Sequence, residues 1–114
     1  MRLRGIGVDV LETKRFSLFK KDKNSRFLLN NYSKKEINYC FSFKNPAPHL
    51  AGTFAAKEAI FKAMGQNDIS LLLIEIRRQK NGQPTVWIKN RLQKSIFISI
   101  SHTAKIAAAV AVKQ

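Results

Sequence analysis

The chain has 114 residues, 45% of them apolar with eight phenylalanines, which suffices for one domain around one core and excludes general disorder. Lys and Arg number 21 against seven Asp and Glu, a formal charge of +14 that steers acidic partners without choosing among nucleic acid, anionic membrane and acidic protein. No run reaches the ~18–20 apolar residues of a membrane span, the start carries no signal-peptide pattern, and a lone cysteine, Cys40, without zinc-spaced Cys and His points to a cytoplasmic protein with neither disulfide nor zinc.

Residues 3–11 read as a strand, with Ile6, Val8 and Val10 on one face and Gly5, Gly7 and Asp9 on the other. Residues 13–30 read as a helix carrying Phe16, Phe19, Phe27 and Leu28 among basic residues. Ser33 as N-cap with Glu36 three positions on forms a capping box, so a second helix runs to about Phe43. Asn45-Pro46-Ala47-Pro48 breaks it. A third helix is bracketed by Pro48 in its first turn and Gly65 just past its end, with Leu50, Phe54, Phe61 and Met64 as an apolar stripe. Leu71 to Arg78 and Pro84 to Ile88 read as strands joined through Lys80-Asn81-Gly82-Gln83, where Asn-Gly signals a turn. Two more strands, Ile96 to Ser101 and Ile106 to Val112, join through His102-Thr103-Ala104-Lys105. The expected fold is a single α+β domain, residues 1–114, with a long central helix packed on a small, mainly antiparallel sheet.

Several residues stand out chemically. Asp9 shares its strand face with glycines, so a ligand or another backbone can come close; the strand alone slightly favours an Asp that merely bonds to a turn. Glu58 and Lys62, four apart beside Ala51 and Ala55, read on helix geometry alone as an exposed ion pair worth roughly 0.3–0.5 kcal/mol. Small alanines around them nevertheless leave space for something bulky. Lys57 falls inside the apolar stripe, where its ammonium could snorkel to the edge. His102 continues the face of Ile96, Ile98 and Ile100, and at that position reads as a hydrogen-bonded structural residue. Ser101 and Thr103 flank it, and the Ser101–Ala104 backbone could offer N–H groups to an anion. No carboxylate lies at a serine triad's recognisable spacing.

The order of these features resembles a family. Gly5-Ile6-Gly7-Val8-Asp9-Val10, then Phe54-Ala55-Ala56-Lys57-Glu58-Ala59 with Lys62-Ala63 and Gly65, then Asn81-Gly82-Gln83-Pro84 and Ile98-Ser99-Ile100-Ser101-His102-Thr103 are similar to the motifs of holo-acyl-carrier-protein synthases. These are the short, trimeric type of 4′-phosphopantetheinyl transferase, and the resemblance spans essentially the whole chain. It implies a Mg²⁺-dependent enzyme that moves the 4′-phosphopantetheine group of coenzyme A onto a serine of an apo acyl carrier protein. The products are holo carrier protein and 3′,5′-ADP, for fatty acid and lipid biosynthesis. By resemblance Asp9 and Glu58 bind the metal, and Glu58, Lys62 and Asp9 form the catalytic group. The resemblance leaves open whether the serine proton passes to Glu58 or to a metal-bound water. Lys62, Gly65, Asn81, Gly82, Pro84, Ser101, His102 and Thr103 line the coenzyme A site. Arg15, extended by Lys14, Lys20 and Lys21, meets the acidic carrier, and a homotrimer places active sites between subunits.

Two departures accompany the resemblance. Relatives usually carry an arginine where this chain has Thr53, which weakens the expected grip on the 3′-phosphate of coenzyme A. The loop Gln66-Asn67-Asp68-Ile69 is shorter than theirs. Two rivals remain. A nucleic-acid-binding protein would use Lys20-Lys21 and Arg77-Arg78, but the chain lacks groove-reading motifs and aromatic strand signatures, so no nucleic acid is expected. An inactive scaffold of the same fold is the reading that Thr53 allows.

Overall fold

A computed structural model describes residues 2–65 and 68–114; Gln66 and Asn67 of the shortened loop lie outside the described residues. The architecture is α+β. Strands β1 (Gly5–Glu12), β5 (Ile96–His102) and β6 (Ile106–Lys113) form one antiparallel sheet in the order β1-β6-β5. A second antiparallel sheet holds β2 (Ile74–Arg78), β3 (Pro84–Ile88) and β4 (Arg91–Leu92). Two sheets thus stand where one small sheet was expected. Helices α1 (Arg26–Asn31), α2 (Lys34–Phe41) and α3 (Ala47–Ala63) complete the described elements, with 3₁₀ turns at Thr13–Phe19 and Leu71–Leu73.

Helix α3 organises the rest. Its Ala55, Ala56, Ala59, Ile60 and Ala63 share one core with Ile74, Ile76 and Val86 of the second sheet and Ile96, Ala109 and Ala111 of the first. A second core on its N-terminal half joins Leu50 and Ala51 to Phe16, Leu28, Tyr32, Ile37 and Cys40. Twelve of its 17 residues are buried, so the expected single stripe of Leu50, Phe54, Phe61 and Met64 understates the contact: the helix is covered on nearly every side. Its alanines permit this, since small side chains let strands approach the helix axis closely.

The glycines of β1 exploit the same closeness. A Cβ at Gly5 or Gly7 would overlap the carbonyl oxygens of Ala63 and Ala59, so β1 lies directly on the α3 backbone. The strand's alternation is as expected, and of the two approaches considered for its glycine face, a backbone makes the contact. Ile6, Val8 and Val10 remain 67%, 54% and 61% exposed on the other side.

The N-terminal helix expected over 13–30 is split. Phe16, Phe19 and Phe27 form one ring cluster, Phe19 and Phe27 stacking at 5.1 Å, and a straight helix cannot fold those rings together. The break is chemically marked: Asp22 Oδ1 accepts from the Asn24 N–H, and Ser25 caps α1 by accepting from the Leu28 N–H. The capping box of α2 is present in full, with Ser33 and Glu36 exchanging hydrogen bonds. Asn81-Gly82 forms the expected turn, Gly82 at φ +88° donating to the Gln79 carbonyl. The short β4 escaped the sequence reading. It follows a two-residue turn at Lys89 and Asn90, both at positive φ, and Lys-Asn is not an Asn-Gly signal.

Candidate active site

Because β1 rests on α3, Asp9 and Glu58 face one another electrically. Partial burial first, and the Asp9 charge second, push the Glu58 carboxyl above the usual carboxylate range, while Lys62 opposes the rise. Lys62 does not pair with Glu58 as helix spacing suggested. Its Nζ donates to the Val8 carbonyl at 2.9 Å and to Asp9 Oδ1 at 3.3 Å. It reaches across to the strand because Asp9 lies within range and accepts a charged donor. Asp9 Oδ2 is buried with no hydrogen-bond partner. An orphaned carboxylate oxygen on a residue whose charge is felt by a second carboxylate is an under-neutralised arrangement.

These two carboxylates fit a hard divalent cation. No group of three or more metal-ligating side chains exists among the described residues. An ion held here would therefore take most of its oxygens from water and substrate, which is how Mg²⁺ is usually bound. A cavity of about 400 Å³, lined by Ile6, Gly7, Val8, Lys62 and Val110, opens beside the lysine. Past the end of α3, Gly65 sits at φ +79° with open space where a side chain would be.

The C-terminal candidates lie elsewhere in the chain. His102 pairs with Ala107 and that with Leu11, whereas Asp9 pairs with Ala109, so β6 runs between β1 and β5. Two strand spacings of roughly 4.8 Å, plus an offset along the strands, keep His102 from the carboxylates. Ser101, His102 and Thr103 instead line a separate cleft of about 270 Å³ with Ile106 and Ala108. The expected anion-binding backbone is partly spent: the Thr103 N–H donates to the Ile106 carbonyl, and its hydroxyl accepts from the N–H groups of Lys105 and Ile106.

His102 does acquire neighbours that the sequence reading missed. Its ring stands edge-on to His49 at 4.8 Å, and His49 stacks on Phe43 at 3.5 Å. Tyr39 packs against both of the latter rings, and the Arg78 guanidinium lies 4.9 Å above Tyr39 while donating to the Gly82 carbonyl. One continuous chain of contacts thus connects His102 to the hairpin tip. There Asn81 Oδ1 accepts from the Gln83 N–H and Pro84 opens β3 opposite Arg78. The available signal was scarcity, since His49 and His102 are the chain's two histidines. Burial first, then the neighbouring His102 and Arg78, lower the His49 pKa.

Three further residues complete the picture. Lys57 does not snorkel: it is fully buried, with Nζ 2.5 Å from Glu36 Oε1 and donating to the carbonyls of Asn31 and Leu71. Glu36 accepts in addition from the N–H groups of Ser33 and Ile76. This network ties α1, α2 and β2 to the helical turn that carries Glu58. Thr53 is buried, its hydroxyl 3.6 Å from Cys40 Sγ. Arg15 is exposed, three residues from Leu18, which is 84% exposed. The turn bearing both is anchored by Thr13, whose hydroxyl donates to the Ala104 carbonyl at 2.6 Å.

Two carboxylates with a lysine beside them, and no third metal-ligating side chain grouped with them among the described residues, suit phosphate chemistry, where charge neutralisation and positioning do most of the catalysis. A family model described as the 4′-phosphopantetheinyl transferase superfamily matches residues 5–111, and the chain belongs to that superfamily. It is 40% identical to the holo-[acyl-carrier-protein] synthase of Thermodesulfovibrio yellowstonii over 96% of this chain and 97% of that one. To the synthase of Protochlamydia amoebophila it is 43% identical over 95% of each. Its structure matches that of a Bacillus anthracis synthase in complex with coenzyme A (3′,5′-ADP) with a TM-score of 0.81 at 30% identity, covering 97% and 96% of the two chains. A Helicobacter pylori synthase in complex with coenzyme A matches with a TM-score of 0.78 at 31% identity, covering 96% and 99%.

Proposed function

We propose that this chain transfers the 4′-phosphopantetheine group of coenzyme A to a serine of an apo acyl carrier protein, in fatty acid and lipid biosynthesis. The single observation that carries the reading is the meeting of Asp9, with its orphaned oxygen, and Glu58 beside Lys62. In the reaction the serine oxygen attacks the phosphorus next to pantetheine, the bond to the leaving 3′,5′-ADP breaks, and the serine loses its proton. Asp9 and Glu58 would hold Mg²⁺, which supplies positive charge to the pyrophosphate when bound. The elevated pKa of Glu58 makes its carboxylate a better proton acceptor at neutral pH. Lys62 adds a point charge for a phosphate oxygen, and the open space at Gly65 admits the donor alongside it.

Asn81, Gly82, Pro84, Ser101, His102 and Thr103 form the proposed site for the rest of coenzyme A. Their separation from the carboxylates within one chain favours a homotrimer in which each site combines two subunits. The surface for it is the outer side of the first sheet, where Ile6, Val8, Val10, Phe97, Ile106 and Val110 are all exposed. Arg15, with the apolar Leu18 nearby and a chain charge of +14, is the proposed landing site for an acidic carrier. No helix is long and apolar enough to cross a membrane among the described residues. Burial pushes the Cys40 thiol up to about 12, which keeps it inert; the proposed location is the cytoplasm, where a chain with a lone cysteine and no disulfide is at home.

The deciding experiment is incubation of the protein with coenzyme A, Mg²⁺ and an apo acyl carrier protein, followed by intact mass analysis. The carrier gains the mass of one phosphopantetheine in the presence of Mg²⁺ and none with chelator. An unchanged carrier under every condition would refute the transferase.

A further inference from the structure

Arg77 and Arg78 are adjacent, yet their surroundings differ. Arg77 is committed: it bridges to Glu75 at 2.5 Å, donates to Asn90 Oδ1 and stacks 3.9 Å over Trp87. Arg78 points to the other side of β2, and among the described residues its one hydrogen bond goes to the Gly82 carbonyl at 3.3 Å. A guanidinium carries five N–H donors, so most of its capacity is unspent. The Tyr39 ring fixes the plane of the group, and its charge bears on both His49 and Cys40. That locates it over the seam between α2 and α3, between the hairpin tip and the His49–His102 pair. The helix offers no uncommitted cation at this seam, since Thr53 is buried against Cys40 and Lys57 is spent on Glu36. Lys35 lines a cleft of about 310 Å³ with Tyr39, Arg77 and Arg78.

Coenzyme A and 3′,5′-ADP carry two anionic ends, a pyrophosphate or 5′-phosphate and a 3′-phosphate monoester. The carboxylates and Lys62 suit the first. The second is a compact dianion, which a planar guanidinium with free donors recognises through paired, charge-assisted hydrogen bonds. We propose that Arg78, stacked on the Tyr39 ring that packs against His49, recognises the ribose 3′-phosphate of the donor, the charge that position 53 does not provide. This inference rests on the transferase reading and adds the residue that makes the enzyme prefer coenzyme A to its dephosphorylated form.

The test compares transfer from coenzyme A and from 3′-dephospho-coenzyme A by the wild type and by Arg78→Gln. The wild type favours coenzyme A in kcat/KM by roughly 10- to 100-fold, the size of a charge-assisted hydrogen-bonded contact. Arg78→Gln collapses that ratio towards one, chiefly through KM for coenzyme A, and leaves transfer from the dephospho donor within about threefold; that unchanged rate also reports an intact fold. Calorimetric titration of the wild type with 3′,5′-ADP and 5′-AMP gives the same preference without any variant. A wild type indifferent to the 3′-phosphate in both assays overturns the proposal. So does an Arg78→Gln enzyme that keeps the wild-type ratio. Transfer from neither donor defeats the transferase reading itself, and the Arg78 assignment with it.

Discussion

Lys57 and Lys62 occupy the same helix five positions apart, and the difference between them shows what surroundings do to one side chain. Lys57 is enclosed with Glu36, and burial drives the lysine pKa down and the glutamate pKa up while each partner opposes the shift. Such a pair is costly to break by halves. Lys57→Met, which leaves Glu36 buried without its cation, should lower unfolding free energy by about 3–5 kcal/mol in urea titration. Asp9 behaves in the opposite way. Asp9→Asn relieves repulsion with Glu58, so the thermal midpoint should hold or rise without metal, while the upward shift that Mg²⁺ should produce in the wild type disappears along with transfer. His49 provides the pH dependence. Its pKa is lowered by burial and by the neighbouring cationic groups, so the unfolded chain binds a proton more readily than the folded one. Stability from this group is complete above the ordinary histidine pKa of about 6.5 and is lost as pH falls through it. Thermal midpoints measured from pH 8 to pH 5 should fall less steeply in His49→Phe, whose ring keeps the stack on Phe43.

At the scale of elements, the proposed site depends on how closely β1 lies on α3. Gly7→Ala inserts a methyl group where the Ala59 carbonyl oxygen already sits, so strand and helix must separate. The expected cost is about 1–3 kcal/mol by chemical denaturation. Transfer should fall further than stability implies, because Asp9 and Glu58 move apart with the two elements. The 3₁₀ turn at Thr13–Phe19 is a different kind of element, projecting Arg15 and Leu18 outward from a scaffold anchored at Thr13. Arg15→Glu should raise KM for the carrier protein at least tenfold with little change in KM for coenzyme A. Added salt should mimic the effect in the wild type, as expected for electrostatic steering.

For the whole molecule, the proposed trimer would share its sites between subunits. Val8→Lys charges the apolar outer face of the first sheet and should convert the proposed trimer into a monomer by light scattering, with transfer lost although none of the proposed catalytic groups has changed. Mixing inactive Asp9→Ala with inactive His102→Ala chains should restore turnover, because some hybrid sites then receive both intact halves. The sequence alone determined much of this protein. The glycines around Asp9, the Ser33–Glu36 capping box, the Asn81-Gly82 turn and the strand alternation are all local features whose spacing dictates local geometry. Tertiary structure decided which side of β1 is covered, because period-two alternation defines two faces and says nothing of what packs on either. It also decided that Lys57 is buried, that Lys62 turns to Asp9, and that His49 joins His102 with Arg78 close by. Each of those outcomes depends on contacts between residues far apart in the chain, whose distances no local pattern encodes.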